Sequence, residues 1–429
     1  MSPDLEAFDA YRARLLARLT PLTPARLPLE RAIGATLAAP VEARTPLPGF
    51  DNAAMDGYAV RRADAAGGAR LALAGEVAAG AEELPTVGPG TAVRIMTGAP
   101  MPPGADAVVP VERANERGDV VVIDDDAEPA PGAHVRAAGE DLAVGARALE
   151  PGTRLGAPEV ALAAAAGAGA VLVRRPPRVA VISTGDELVP AGAPLRPGQI
   201  VDSNGPALAA AAAEAGAEPV AQPAVPDDAA ALRAAFAAAA ADADVLVTTG
   251  GVSAGRYDLV QDVLAELGDV STSKVAMQPG KPQAFGLIGG TPCFGLPGNP
   301  VSALVSFEAL VRPALLRLAG RADLARPRVT ATAAEPFPGG KGRLRVVLAR
   351  LTEGEDGTQV APLGAQGSHR LASAAGADGY VVVPRGVARL EAGATVDVWL
   401  RAGDGWQDGQ HLAHAWQSGL QARALVPRG

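Results

Sequence analysis

From residue 178 to about 320 the apolar positions fall into short continuous runs, each ending in a loop of small, polar and acidic residues. Three are plain: VAVISTGDEL at 179–188, VLVTTGGVSAGRYD at 245–258 and CFGLPGNPVS at 293–302. Continuous β-branched runs bounded by glycine turns predict buried strands. Helical spacing predicts helices over 206–217, 227–241, 259–267 and 301–318. Strands alternating with helices wind as βαβ units into a parallel α/β sheet, and ligands bind such sheets outside the carboxyl ends of the strands.

The flanking regions have other periods. Leu5, Phe8, Leu15, Leu16 and Leu19 predict an amphipathic helix over 4–19, and 29–38 reads as a second short helix stopped by Pro40. From 59 to 123 the runs YAVR, RLALAGEV, AVRIMTG, AVVPVE and DVVVID, separated by glycine turns, predict an all-β module. A helix is expected over 157–166 and a linker at Pro176 and Pro177. Beyond Arg326 five more short runs (RVTATAAE, RLRVVLARL, QVAPL, GYVVVP, TVDVWL) predict a small β-barrel or sandwich. The expected fold class is α/β plus all-β modules. Its expected layout is a discontinuous helical and linker domain at 1–50 and 138–175, and an inserted β-rich domain at 51–137. An α/β domain at 176–325 and a C-terminal β-barrel at 326–404 follow. The tail, 405–429, ends in LVPRG, which reads as a protease-cleavage scar.

Composition narrows the function. The 429 residues exceed one ordinary core, and 48% hydrophobic with 20% charged residues suits a globular chain. A net charge of -9 with no basic stripe argues against a nucleic-acid partner. The alanine-rich tracts are broken by charges, Gly and Pro, and the first ten residues are acidic, so neither a membrane span nor a signal peptide is expected and a cytoplasmic protein is. Cys293 stands alone inside TPCFGL and reads as a core residue, and the four scattered histidines offer no zinc site.

The loops carry the chemistry. In STGDEL, Thr184 and Gly185 present backbone N–H groups, while Asp186 and Glu187 suit Mg2+, which takes oxygen ligands. The same residues also suit a helix N-cap with an acidic first turn. Gly250 and Gly251 allow the close backbone approach of a phosphate cradle, with Ser253 adding a hydroxyl and Asp258 opening the next helix. Neither G-x-x-x-x-G-K-[ST] nor a G-x-G-x-x-G at the first βα turn of the α/β unit is present, which disfavours a P-loop and a dinucleotide site. QPGKP offers Lys281 as a point charge for an oxyanion, with Lys274 seven residues earlier. LPGNPVS places Pro297, Gly298, Asn299, Pro300 and Ser302 at a helix start on which an oxyanion would rest. Outside the α/β region, GFDNAAMDGYAVR at 49–62, MTGAP at 96–100 and GEDL at 139–142 are polar interruptions of the kind that carry function on a rigid scaffold.

Taken in order, PGFDNAAMDGYAVR, RIMTGAPMP, GEDL, STGDEL, SNG, TTGGVSAGRYD, KVAMQPGKP and GLPGNPVSA resemble the molybdopterin molybdenumtransferases, bacterial counterparts of the C-terminal domain of gephyrin, over residues 4–400. The resemblance implies an elongated four-domain subunit in a homodimer with a shared active site, the inserted β-module of one copy closing the α/β cleft of the other. The implied reaction takes molybdate and adenylyl-molybdopterin to molybdenum cofactor, releasing AMP, with a Mg2+ requirement. Carried onto matching positions, the functional residues are Asp56, Thr97, Asp141, Glu187, Asp227, Asp258, Pro297 and Pro300, and the SNG motif adds Ser203 and Asn204. Gln278 departs from the pattern, standing where some relatives have lysine, which shifts weight onto Lys274 and Lys281.

The implied roles are then separate. Asp186, Glu187, Asp227 and Asp258 hold Mg2+ or position the attacking oxygen at the pyrophosphate, and Gly250, Gly251 and Ser253 cradle phosphate. Lys274, Lys281 and Ser302 receive molybdate, while Asp56 and Thr97 act across the dimer interface. The soft sulfurs that capture molybdenum come from the pterin, so one cysteine suffices. Two other functions stay open: the adenylyltransferase that makes the adenylylated pterin, which is also an expected partner, and a non-catalytic scaffold. The extra β-modules speak against the first and the intact acidic loops against the second.

Overall fold

The computed structural model describes residues 5–220, 222–251, 259–354 and 357–401. It divides into two compact units: Ala25–Ile33 with Leu37–Val173, and Met1–Pro24 with Gly34–Thr36 and Arg174–Gly429.

The first unit is β-rich. Its main sheet runs in the order Ala107–Pro110, Gly57–Val60, Thr91–Ile95, Arg70–Val77, Val120–Ile123, Ala114–Arg117. Each of the five runs expected as strands is one. Gly57–Val60 is buried on both faces, Tyr58 and Val60 packing with Leu71, Val109 and Val121, and Ala59 with Val93 and Val108. Gly57 is required there because a Cβ would sit 2.1 Å from the Val109 carbonyl oxygen. The helix expected over 29–38 is not formed: a 3-10 turn at Leu29–Arg31 ends before Gly34, which has φ +78°, and Thr36–Leu37 is extended. A glycine in the left-handed region stops helix propagation. The expected helix at 157–166 is present as Ala157–Ala165.

In the second unit the central sheet is built from β1 (Arg178–Ser183), β2 (Glu218–Val220), β3 (Val245–Thr249), β4 (Ser271–Lys274), β5 (Pro282–Ile288) and β6 (Thr291–Leu296), in the order β2-β1-β3-β6-β5-β4. Four neighbours, β2, β1, β3 and β6, are parallel, whereas β5 and β4 are antiparallel. The antiparallel half starts from a two-residue hairpin at Gly289 and Gly290, both with positive φ, the glycine pair that a type I′ turn calls for. Alternate residues of β1 and β3 enter opposite cores. Val179, Val181, Val245 and Val247 meet Leu208, Phe307 and Leu310, while Ala180, Ile182 and Leu246 meet Leu232, Phe236 and Val263. Both faces being apolar explains why the sequence shows unbroken hydrophobic runs. Cys293 on β6 is fully buried and its thiol is pushed up to about 12 by that burial, as a core residue should be.

The first helix, Phe8–Ala17, buries Phe8, Tyr11 and Leu15 in the same core as β1 and so belongs to the α/β unit. The helix starting at Pro300 runs to Leu318 with a π turn at Phe307–Val311. The C-terminal strands Arg328–Ala333, Leu344–Gly354, Gly357–Pro362, Gly379–Val383 and Thr395–Leu400 close into a five-stranded barrel, because Leu344–Gly354 pairs with both Gly357–Pro362 and Gly379–Val383. A short strand of the α/β region, Met277–Gln278, pairs in parallel with the start of Leu344–Gly354, Met277 opposite Leu344 and Gln278 opposite Arg345. Residues 402–429, which include the expected tail at 405–429, lie outside the described residues. No helix among the described residues is long and apolar enough to cross a membrane.

Candidate active site

The chain passes from β1 to β2 on one side and returns from β2 to β3 on the other, so the strand order reverses between β1 and β3. At such a point the loops diverge and leave a crevice beyond the carboxyl ends. A cleft of about 110 Å3 lies there, lined by Thr184, Glu187, Ser203, Asn204, Gly250, Gly298 and Pro300 among others. Seven residues singled out in four separate sequence loops are thus brought together. Asn204 ties three loops: its Nδ2 donates to the Thr249 hydroxyl at 2.9 Å and to the Gly298 carbonyl at 2.7 Å. The Thr249 hydroxyl donates in turn to the Pro297 carbonyl at 3.3 Å. Gly250 has φ +95°, and a Cβ on it would lie 2.8 Å from the Thr184 carbonyl oxygen and 2.9 Å from its hydroxyl. Asp202, which sequence reasoning passed over, accepts from the Ser183 hydroxyl and from the Gly205 N–H, fixing the start of helix Asn204–Glu214. Gly251 and Asn299 do not line the cleft. Ser253 and Asp258 lie outside the described residues.

The carboxylates gather beside this crevice. The Asp227 N–H donates to Asp186 Oδ1 at 3.0 Å, and Gly185, with φ +148°, donates its N–H to the Val225 carbonyl, joining the two loops. Asp227 is held above the usual carboxylate range, first by desolvation under crowding loops although its surface remains open, then by the charges of Asp186 and Glu187. Negative charge that raises a neighbouring carboxyl is relieved by a cation placed beside it. No group of three or more His, Cys, Asp or Glu among the described residues forms a ready-made metal cage. Mg2+ does not need one, since it commonly uses one or two carboxylates with waters and substrate phosphates.

A second cleft, of about 250 Å3, opens where the barrel meets the α/β region. Its polar lining is Gln278, Lys281, Ser302, Arg343, Arg345, Gln366 and Ser368, three cationic groups with no carboxylate among the lining residues. Arg343 donates to Gln278 Oε1 at 2.8 Å and to the Gly340 carbonyl at 3.2 Å, which fixes its guanidinium. Arg345 donates to the Gly339 carbonyl and is lowered by burial and then by the like charge of Arg343, the mark of a site short of anions. Such a cleft suits a tetrahedral oxyanion, which Arg and Lys bind through charge-assisted hydrogen bonds. The helix end contributes less than the sequence led one to expect. Pro300 has no N–H, and the Val301 N–H donates to the Ser368 carbonyl at 3.0 Å, leaving the Ser302 side chain on the wall. Lys274 lies exposed on β4, outside the lining. Arg343, Arg345, Gln366 and Ser368 were missed. The available signal was two arginines two residues apart at the head of a strand, which share one face.

In the β-rich unit the three polar interruptions form one cluster. The Gly98 N–H donates to the Ala53 carbonyl, the Ala53 N–H to Ala99 and the Met101 N–H to Asp51, so the 49–62 and 96–100 loops are laced together. Asp56 Oδ1 accepts from both the N–H and the hydroxyl of Thr97, each at 2.7 Å, and these bonds hold its pKa below the usual carboxylate range. The third segment joins through the Ala138 N–H, which donates to Asp51 Oδ1 at 2.7 Å, and through the Asp141 N–H, which donates to the Leu47 carbonyl. Asp56, Thr97 and Asp141 are exposed.

Comparison with known proteins places this geometry. Residues 6–167 match the MoeA N-terminal region (domain I and II), 180–317 a probable molybdopterin binding domain, and 330–400 the MoeA C-terminal region (domain IV). The chain is 44% identical over 389 residues to molybdopterin molybdenumtransferase 2 of Mycobacterium tuberculosis, covering 88% of this chain and 95% of that one. It is 35% identical to the molybdopterin molybdenumtransferase of Bacillus subtilis, covering 87% and 88%. Among solved structures, the molybdopterin biosynthesis MoeA protein from Pyrococcus horikosii is similar with a TM-score of 0.78 and 36% identity, covering 93% of this chain and 100% of that one.

Proposed function

The chain belongs to the MoeA family of molybdopterin molybdenumtransferases, and on that premise we propose that it inserts molybdenum from molybdate into adenylyl-molybdopterin, with release of AMP. The observation that carries this reading is that two chemically different clefts share one helix start. Gly298 and Pro300 line the crevice at the strand ends, and Val301 and Ser302 line the cationic cleft. One side accommodates a phosphorylated pterin against glycine backbone; the other gathers positive charge for a dianion.

In this reading Lys281, Arg345 and the Ser302 hydroxyl hold molybdate, while Gln278 and the Gly340 carbonyl keep Arg343 in place. Asn204 keeps the crevice open to the pterin phosphate by fixing Gly298 against Thr249. One or two of Asp186, Glu187 and Asp227, together with waters and substrate phosphate, would hold Mg2+, which when bound withdraws charge from the phosphoanhydride. These residues have little covalent chemistry to perform; orientation and charge neutralisation carry the rate. The exposed Asp56, Thr97 and Asp141 cluster is assigned to a second copy's crevice in a homodimer, in support of which the neighbouring Phe50 is 51% exposed. The enzyme acts in the cytoplasm on the product of a molybdopterin adenylyltransferase, with which it partners.

The test is AMP release from adenylyl-molybdopterin by the purified chain with Mg2+. Release that depends on added molybdate supports the reading, and release indifferent to molybdate removes it.

A further inference from the structure

We propose that Gln283, which lines neither cleft, is a positioning residue that fixes Lys281 in the cationic cleft; this rests on the molybdate reading of that cleft. Gln283 lies on β5 and is 1% exposed. Its Nε2 donates to the Gly280 carbonyl at 2.7 Å and to the Ser306 hydroxyl at 2.7 Å. Ser306, fully buried, is the last residue before the π turn of the long helix.

The consequence for Lys281 follows from which peptide groups are held. The Gly280 carbonyl belongs to the peptide group that precedes Lys281, and Gln283 holds it. The Lys281 carbonyl belongs to the group that follows, and it accepts from the Val275 N–H at 2.8 Å. Both peptide planes at the Lys281 Cα are therefore fixed, while the side chain itself is exposed and lines the cleft. A lysine is a point charge on a flexible stem, so fixing its base sets where the ammonium can reach and lowers the ordering lost on binding.

The surroundings leave no room for a side chain at Gly280. Gly280 has φ +102°, and a Cβ on it would meet Ser306 Oγ at 2.6 Å, Met277 Cε at 3.1 Å and Gln283 Nε2 at 3.2 Å. A buried carboxamide is tolerated only when its donors are used: here one bond holds the turn that carries Lys281 and the other anchors the amide to Ser306 on the long helix. Methionine at 283 keeps the length and removes both donors, freeing the Gly280 carbonyl to rotate.

The experiment measures molybdate binding by calorimetry, and kcat with KM for each substrate, for the whole chain and for Gln283→Met, Ser306→Ala and Arg345→Ala. Gln283→Met is expected to weaken molybdate binding about tenfold and raise the molybdate KM in step, with kcat at saturating molybdate and the KM for adenylyl-molybdopterin within about twofold of the parent. Ser306→Ala, which removes one partner of the amide, gives a smaller shift in the same direction and serves if Gln283→Met does not fold. Unchanged molybdate affinity in both, or a loss shared equally by both substrates, overturns the inference while Arg345→Ala still weakens molybdate. Should Arg345→Ala also leave molybdate binding untouched, the cleft reading fails and takes the inference with it.

Discussion

One carboxylate oxygen of Asp56 accepts two hydrogen bonds from Thr97, from its N–H and from its hydroxyl, each at 2.7 Å. The pair spans two loops and holds Asp56 ionised below the usual carboxylate range. A carboxylate lowered on folding contributes stability above its unfolded pKa and loses it as pH falls through the lowered value. Thr97→Val removes the hydroxyl donor and keeps the backbone donor. Asp56 should then titrate closer to the ordinary range, the melting temperature should fall at neutral pH, and the difference should vanish in acid. Thr97→Ser should match the parent. NMR titration of the side-chain carboxyl checks the shift; identical Asp56 titration in Thr97→Val and the parent would remove it.

Asp56 is assigned to the site of a second copy, which mixed dimers can reveal. Asp56→Ala and Asp227→Ala should each abolish turnover alone. Co-expressed with distinguishable tags, they should recover roughly a quarter of parental activity, because half of randomly formed dimers are mixed and each mixed dimer holds one intact site of two. Isolated mixed dimers with no turnover would show that both residues serve the same copy.

Asp227 is raised by crowding and by Asp186 and Glu187, so its charge costs the fold stability. A carboxyl raised on folding stabilises below its unfolded pKa, and that contribution is lost as pH rises through the raised value. Asp227→Asn should therefore melt above the parent at neutral pH, with the gain gone below about pH 4, where an ordinary carboxyl is also protonated. Mg2+ should raise the parent's melting temperature more than the variant's, while turnover falls in the variant. Thermal melts across pH with and without Mg2+ read both effects, and equal Mg2+ shifts would argue against these carboxylates as its ligands.

Asn204 bonds Thr249 and Gly298 with one amide nitrogen. Asn204→Ala should cost about 1–2 kcal/mol, the usual scale for part-buried hydrogen bonds. It should also raise the KM for adenylyl-molybdopterin while leaving the molybdate KM unchanged. Denaturant midpoints and substrate-resolved kinetics separate these effects; a change in the molybdate KM alone would contradict the assignment of the crevice.

Much of this arrangement could be read from local pattern. The runs 179–183 and 245–249 announce buried strands because both faces of the sheet are covered, and the polar loops after them mark its carboxyl edge. Other features depend on contacts that local pattern does not encode. Arg343 and Arg345 read as ordinary strand-edge charges, and only the parallel pairing of Gln278 with Arg345, 67 positions away, brings them to Lys281. The 29–38 segment reads as a helix stopped by Pro40, yet the left-handed backbone of Gly34 decides the outcome. The antiparallel edge of the sheet did carry a local signal, Gly289–Gly290, which the expectation of continuous βαβ winding overrode. Lys274 is grouped with Lys281 by closeness in sequence, and the antiparallel register does set it opposite Pro282, yet it stands exposed on β4 and only the turn residue lines the cleft.

The central claim is that molybdate sits in the cationic cleft beside the helix start shared with the pterin crevice. It is tested most directly by anomalous scattering at the molybdenum edge from crystals soaked with molybdate. A molybdenum peak within hydrogen-bonding reach of Lys281, Ser302 and Arg345, absent in Arg345→Ala crystals, is the predicted result. A peak among Asp186, Glu187 and Asp227, or elsewhere with this cleft empty, would contradict it.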